Sequence, residues 1–199
     1  YGHSEDYVSF DPSALVVGWQ DRSRPRDVVL GTTVDTLVAR APCDLYVERV
    51  GREANGVGSV LLPVAGGPHV AAAARVAGAV ATRNDARVHV CSVYASDGDP
   101  AAAQQFVDAG REALSSVAPD VPVETRIVDA ADITGAIAAD APAHDVVVLG
   151  ATRQGAVRGR VAGTVARRVA GRTDQTVVLA RYLASAGGIV GRVGALIRR

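Results

Sequence analysis

With 199 residues, 48% of them hydrophobic and 21% charged, the chain has the make-up of a folded protein large enough for one domain and part of another. Basic and acidic residues balance at 21 each, which speaks against a dedicated nucleic-acid binder. Two cysteines, Cys43 and Cys91, are too few for a disulfide framework and are expected as buried thiols. No apolar run reaches the roughly 18 residues of a membrane span, and no signal peptide is visible. Without any Met and with Tyr1 in first place, the natural chain is expected to begin upstream and to lie in the cytoplasm.

In chain order, Ala14–Gly18 reads as a strand, 21–27 as a charged loop and Thr32–Arg40 as a helix with Val34, Leu37 and Val38 at spacings of three and four. Ala41-Pro42-Cys43 ends it before a strand over Asp44–Arg49, and 51–56 reads as a linker. A complete unit follows. A strand over 57–64 closes on Ala65-Gly66-Gly67, and Pro68 suits the first turn of a helix reaching about Thr82. Then come a strand over Arg87–Tyr94, a helix over 100–117, a strand over 122–128 and a short helix over 132–140. A strand over 145–149, a helix over 164–172 and a strand over 176–180 finish the unit. Strict alternation of strand and helix predicts an α/β fold with an open parallel sheet covered on both faces. The tail is separate: Ile189, Val190, Val193, Leu196 and Ile197 share one helical face of a basic, amphipathic segment over 183–199.

One stretch carries chemistry. Val146-Val147-Val148-Leu149-Gly150 reads as a buried strand ending on glycine, followed by a loop with Arg153, Arg158 and Arg160 and a helix opening at Gly163-Thr164. A helix start offers unpartnered N–H groups and partial positive charge, and glycine lets the backbone approach a ligand, so the order suits a phosphate. The same order occurs 132 positions earlier, where Gly18 stands for Gly150 and Gly31-Thr32 for Gly163-Thr164. In both copies the two glycines are 13 positions apart. Arg40 falls on Arg172, Leu45 on Val177 and Val47 on Leu179, which marks an internal repeat. In a sheet of this kind ligands sit beyond the carboxyl ends of the strands where strand order reverses. The Gly66-Gly67 turn, itself a candidate anion nest of backbone N–H groups, and the Gly150 loop would flank that crevice.

These residues resemble the universal stress protein family. Its nucleotide-binding signature runs glycine, two residues, glycine, nine residues, glycine, Ser/Thr. It stands here as Gly150-x2-Arg153-x9-Gly163-Thr164 and as Gly18-x2-Asp21-x9-Gly31-Thr32. Leu62-Pro63-Val64 and Ala41-Pro42-Cys43 also look like the family. The resemblance covers 57–181 as a whole domain and about 11–50 as the closing half of a preceding one. It implies a five-stranded sheet of order 3-2-1-4-5, dimers through the last strand, and ATP or AMP at the crevice in some members. Leu149, Gly150, Gly163, Thr164 and Val165 would then line phosphate and ribose, with Pro63, Val64 and Ala65 beside the nucleoside. Gly18, Gly31 and Thr32 form a degenerate copy that lacks an opening strand of its own. The two-unit form further resembles the soluble tails of archaeal amino-acid permeases and related cation transporters.

Two departures stand out. The family's nucleotide binders carry an acidic residue for the ribose hydroxyls where this chain has Ala65, and the second motif glycine is Arg153 in one copy and Asp21 in the other. Arg153 can block the close approach or pair with a phosphate through its planar fork; Asp21 repels one. Two readings therefore stand: a regulatory domain sensing a nucleotide, and a nucleotide-independent dimerisation scaffold with a lost site. No nucleophile–base constellation appears, so no enzyme is expected. His3, His89 and His144 share no metal-like spacing, His69 at a helix start reads as a solvated surface residue with ligand contact as the alternative, and Asp129 and Asp132 read as turn and helix-cap residues.

Overall fold

The computed structural model describes residues 13–19, 32–52, 56–151 and 164–182. Expectations for Asp21, Gly31, Arg153, Gly163 and the tail fall outside these residues. The described elements run β1 (Ala14–Gly18), α1 (Thr32–Arg40), β2 (Asp44–Arg49), β3 (Ser59–Pro63), α2 (Val70–Asn84), β4 (Arg87–Tyr94), α3 (Pro100–Ser115), β5 (Val123–Asp129), α4 (Ile133–Asp140), β6 (Val146–Gly150), α5 (Thr164–Ala170) and β7 (Thr176–Arg181).

Local chemistry explains most boundaries. Asp99 caps α3 by accepting the Ala101 N–H at 2.8 Å, and Pro100 occupies the first turn, where no N–H is needed. Asp132 caps α4 by accepting the Gly135 N–H at 2.9 Å, as its sequence position predicts. That bond, with Arg172 alongside, holds the Asp132 carboxyl below the usual range. Asp129, expected as a turn residue, is instead the last residue of β5, where it accepts from Ser96 Oγ at 2.6 Å. Several ends shift by one or two residues, and the start of α2 differs for a reason. Helix α2 begins at Val70 with His69 as its cap, not at Pro68, because Gly66 and Gly67 both take positive φ and hold Pro68 inside the turn.

All seven strands lie in one sheet of order β1-β2-β7-β6-β3-β4-β5. Counting strands within the complete unit, β5-β4-β3-β6-β7 is the order 3-2-1-4-5, and every pairing in it is parallel. The expected five-stranded sheet is thus enlarged to seven, because β2 pairs antiparallel with β7 and brings β1 with it. The outer edge of the last strand, where the resemblance puts another subunit, is occupied by β2 of the same chain.

Alternation along the strands sorts the core into two layers. On one face Leu45, Val47, Leu61, Cys91, Val147, Leu149, Val177 and Leu179 pack with Val38 of α1, Ile137 of α4 and Ala166 and Val169 of α5. On the other, Val60, Leu62, Val88, Val90, Val146, Val148 and Val178 meet the alanine-rich side of α2 and Val107 and Leu114 of α3. Ala72, Ala73, Ala74, Ala77 and Ala81 let α2 lie close to the strands. Both cysteines are buried as expected, and burial pushes the Cys91 thiol up to about 11, so it stays protonated and unreactive.

The sequence repeat is also a repeat of register. Pairs Ala14↔Asp44 through Gly18↔Glu48 become Val146↔Thr176 through Gly150↔Ala180 when 132 is added to each number. The β2–β7 ladder is symmetric under the same exchange: Leu45↔Arg181 maps onto Arg49↔Val177, and Val47↔Leu179 maps onto itself. A local twofold axis therefore passes through the Val47–Leu179 pair, and both side chains are fully buried. The junction is pinned beside it. Arg49 donates to the carbonyls of Thr173 and Gln175, Gly51 N–H to Thr176 Oγ1 at 3.0 Å, and Arg52 N–H to Asp174 O at 2.7 Å. The expected linker is thus fastened over its first two residues.

Leu179→Ala is expected to lower stability by about 2–5 kcal/mol, the range for a buried leucine whose site cannot collapse. Urea unfolding followed by circular dichroism measures it; a loss below about 1 kcal/mol would show that the axis is not tightly packed.

Candidate functional site

The crevice lies where β3 and β6, adjacent and parallel, end side by side. From β3 the chain turns on Val64-Ala65-Gly66-Gly67-Pro68-His69 into α2. Pro63 and Val64 are buried, and the Val64 N–H still bonds to Cys91 O at 2.7 Å, so the sheet holds the turn's first residue. Ala65 and Gly67 are exposed at the mouth. Gly66 has φ +74°, and a Cβ placed there would stand 2.7 Å from Cε1 of Phe106 on α3. Glycine is required twice over at that position, by backbone conformation and by contact.

From β6 the chain leaves through Gly150. Leu149 is buried in the core below it, and Ala151 N–H donates to Ala180 O at 2.8 Å, extending the ladder one residue past the strand. Gly150 faces the backbone of His69: a Cβ at Gly150 would lie 3.3 Å from the Cβ and 3.4 Å from the carbonyl oxygen of His69. The close approach for which the motif glycine is suited is thus taken by the start of α2. His69 is not the solvated residue its position suggests. It is half-buried, and its Nδ1 accepts the backbone N–H of Tyr182, just past β7, at 3.0 Å. One imidazole therefore ties the turn after β3 to the end of β7, across the end of β6.

Thr164 starts α5 as expected, and Val165 is half-buried against the core below Leu149. The structure therefore brings Pro63, Val64, Ala65, Gly66, Gly67, Leu149 and Gly150 to one end of the sheet. In the first copy Gly18 ends β1 and Thr32 begins α1. That arrangement can present backbone N–H groups of the turn to an anion. It offers no carboxylate at Ala65 for ribose hydroxyls.

A second polar cluster, at the opposite end of the sheet, had no signal in the spacing of its residues. His89 of β4 and His144, just before β6, meet edge to face with ring centroids 4.7 Å apart. His144 shares a hydrogen bond with Ser59 Oγ at 2.6 Å and lies 3.6 Å from Asp140, which is paired with Arg126. His89 lies 3.4 Å from Glu124. Burial, with His89 and Arg126 nearby, pushes His144 down from 6.5 to about 4. Among the described residues no group of three or more His, Cys, Asp or Glu is arranged to hold a metal ion.

Parallel strands wound with helices on both faces, with a glycine turn and a helix start at the reversal of strand order, define a doubly wound α/β domain. The chain belongs to the universal stress protein family, which it matches over residues 57–181. Among solved structures it is similar to a universal stress protein from Archaeoglobus fulgidus, at 15% identity and TM-score 0.52, covering 62% of this chain and 98% of that one. A second, from Archaeoglobus fulgidus DSM 4304, is 17% identical with TM-score 0.59 and covers 86% of this chain and 62% of its own. A third is a universal stress protein in complex with cAMP, 21% identical with TM-score 0.54, covering 65% of this chain and 100% of that one. No curated protein matches the chain. At these identities the likeness concerns the fold.

Two outcomes follow from this geometry. Gly66→Ala is expected to cost about 1–3 kcal/mol through forced positive φ, and more through Phe106. Adding Phe106→Leu should not restore full stability, which thermal unfolding of both variants will show. Folded His144 stays neutral down to about pH 4, whereas the unfolded chain takes up a proton near 6.5. Stability therefore rises with pH across that window and is lost as pH falls through it. The share from this group is roughly 2–3 kcal/mol, and urea midpoints between pH 4.5 and 7 should show a shallower slope in His144→Gln.

Proposed function

We propose that this chain is a regulatory module whose crevice, between the Gly66-Gly67 turn and Gly150, binds an adenine nucleotide such as ATP or AMP. The observation that carries the reading is the pair of positive-φ glycines at the carboxyl end of β3, beside the end of β6 and at the reversal of strand order. The turn has no side chains at Gly66 and Gly67 to screen its N–H groups from a phosphate. The cAMP complex of a structure with the same fold supports the class of ligand. Because Ala65 leaves the ribose unheld, we infer that binding rests on phosphate and on the apolar wall formed by Pro63 and Val64. Arg153 is the candidate phosphate clamp.

Within this reading the module acts without catalysis, and occupancy alters what the paired sheet presents to a partner. The expected setting is a cytoplasmic tail of an amino-acid permease or cation transporter, with ligand state reported to the membrane part. Among the described residues no helix is long and apolar enough to cross a membrane, so the transporter would be a separate part. Transport assays with and without these residues test that coupling.

A second reading, a nucleotide-independent scaffold, is favoured by His69, whose backbone occupies the space above Gly150. Thermal shift and calorimetric titration with ATP, AMP and cAMP separate the two. A ligand at 100 times its Kd adds about 2.7 kcal/mol of stability, and no affinity below millimolar would leave the scaffold. Ala65→Asp, at an exposed position, is expected to tighten ribonucleotide binding about tenfold, since a hydrogen bond to a charged group contributes about 1.5–3 kcal/mol. The 2′,3′-dideoxy analogue should gain nothing.

A further inference from the structure

The two edges of the sheet differ. At one end β5 carries Glu124, Arg126 and Asp129, with Glu124 paired to Arg87 and Arg126 to Asp140. Charges of this kind blunt an edge against unwanted pairing. At the other end β1 reads Ala-Leu-Val-Val-Gly and carries neither charge nor proline. Its Leu15 and Val17 pack into the core beneath α1, but Val16 on the other face is 67% exposed.

The twofold repeat says what is unmatched there. Val148, the counterpart of Val16, is 0% exposed, and Val178, the counterpart of Tyr46, is buried while Tyr46 is half-buried. The cover over Val148 and Val178 comes from α2, which lies across β3, β6 and β7, and from β3, which pairs with β6 through Val60↔Val146 and Leu61↔Val147. Subtracting 132 from Val146 and Val147 gives Ala14 and Leu15. These are the residues of β1 that a strand standing in β3's place would face.

We propose that the outer edge of β1, with the uncovered Val16–Tyr46 face, is a docking site for a partner strand–helix unit built like β3–α2. The unit enters parallel to β1, sets its second and third strand residues against Ala14 and Leu15, and lays a small-residue helix face over Val16 and Tyr46. Two observations select this occupant over a second copy of the chain. The β6–β3 pairing that the repeat projects onto β1 is parallel, whereas two β1 strands meeting across a twofold axis would be antiparallel. The other free strand of a second copy, β5, is the charged one. The Archaeoglobus fulgidus DSM 4304 structure is compatible with the projection, since it covers 86% of this chain with 62% of its own length and so has further chain beyond the shared part. The inference is independent of nucleotide binding.

The test compares the chain alone with a fusion in which a second copy of residues 57–145 precedes Tyr1, using hydrogen–deuterium exchange and sedimentation. The chain alone is expected to be monomeric, with fast exchange at the β1 amides not bonded to β2. In the fusion those amides should exchange on the order of tenfold or more slowly. Val16→Lys should return them to fast exchange in the fusion while leaving the melting temperature of the chain alone unchanged. Unprotected β1 amides in the fusion, or a fusion that does not fold, would overturn the proposal. So would a chain that dimerises alone through a protected β1 and becomes monomeric on Val16→Lys, since the occupant would then be a second copy.

Discussion

The structure depends on one antiparallel ladder. Every other pairing in the sheet is parallel and belongs to one copy of the repeat or the other; only β2 and β7 join the copies. The seam works because the pairs at its centre, Val47↔Leu179 and Tyr46↔Ala180, are apolar and serve opposite faces of the sheet. Val47 and Leu179 fill one core layer at the axis, while Tyr46 and Ala180 belong to the layer on the other side. Without that seam two strands and one helix would have no second layer to bury against, and a β-α-β fragment of that size cannot build a core of its own.

The same packing shapes the crevice. Glycine at 66 and 150 leaves space in both loops, and the fold spends that space differently. At Gly66 the ring of Phe106 closes in from α3, and at Gly150 the start of α2 closes in from above. The His69 bond to Tyr182 N–H then locks α2 to the end of the last strand. In the turn after β3, Ala65 and Gly67 stay exposed. The tight contact at Gly150 works against nucleotide entry, and the open turn works for it. The two proposed readings differ over which of these effects is larger.

Much of this was legible in the residues. Strand and helix order followed from period and punctuation. The spacing of 132 announced the repeat, and Val47 against Leu179 was visible as an aligned pair before it became a pair across a ladder. Pattern alone could not show that the halves share one sheet, because spacing records that two segments are alike and not which edge each presents. The start of α2 was misplaced because proline in a first turn is favourable, yet two successive positive-φ residues before it delay the helix. His69 and the His89–His144 pair were missed for a common reason. Their partners, Tyr182, Ser59 and one another, lie 55 to 113 positions away in the chain and meet only when helices cross the sheet.

The pinned junction after β2 has a mechanical consequence. With Arg49, Gly51 and Arg52 each bonded to the turn or strand start at Thr173–Thr176, the chain leaving β2 is fastened to the start of β7 as far as Arg52. A displacement of β7, including one delivered through the imidazole that grips its far end, cannot be absorbed by bending there. It must carry β2 along, so the two halves turn together as a single lever whose fulcrum is the ladder itself.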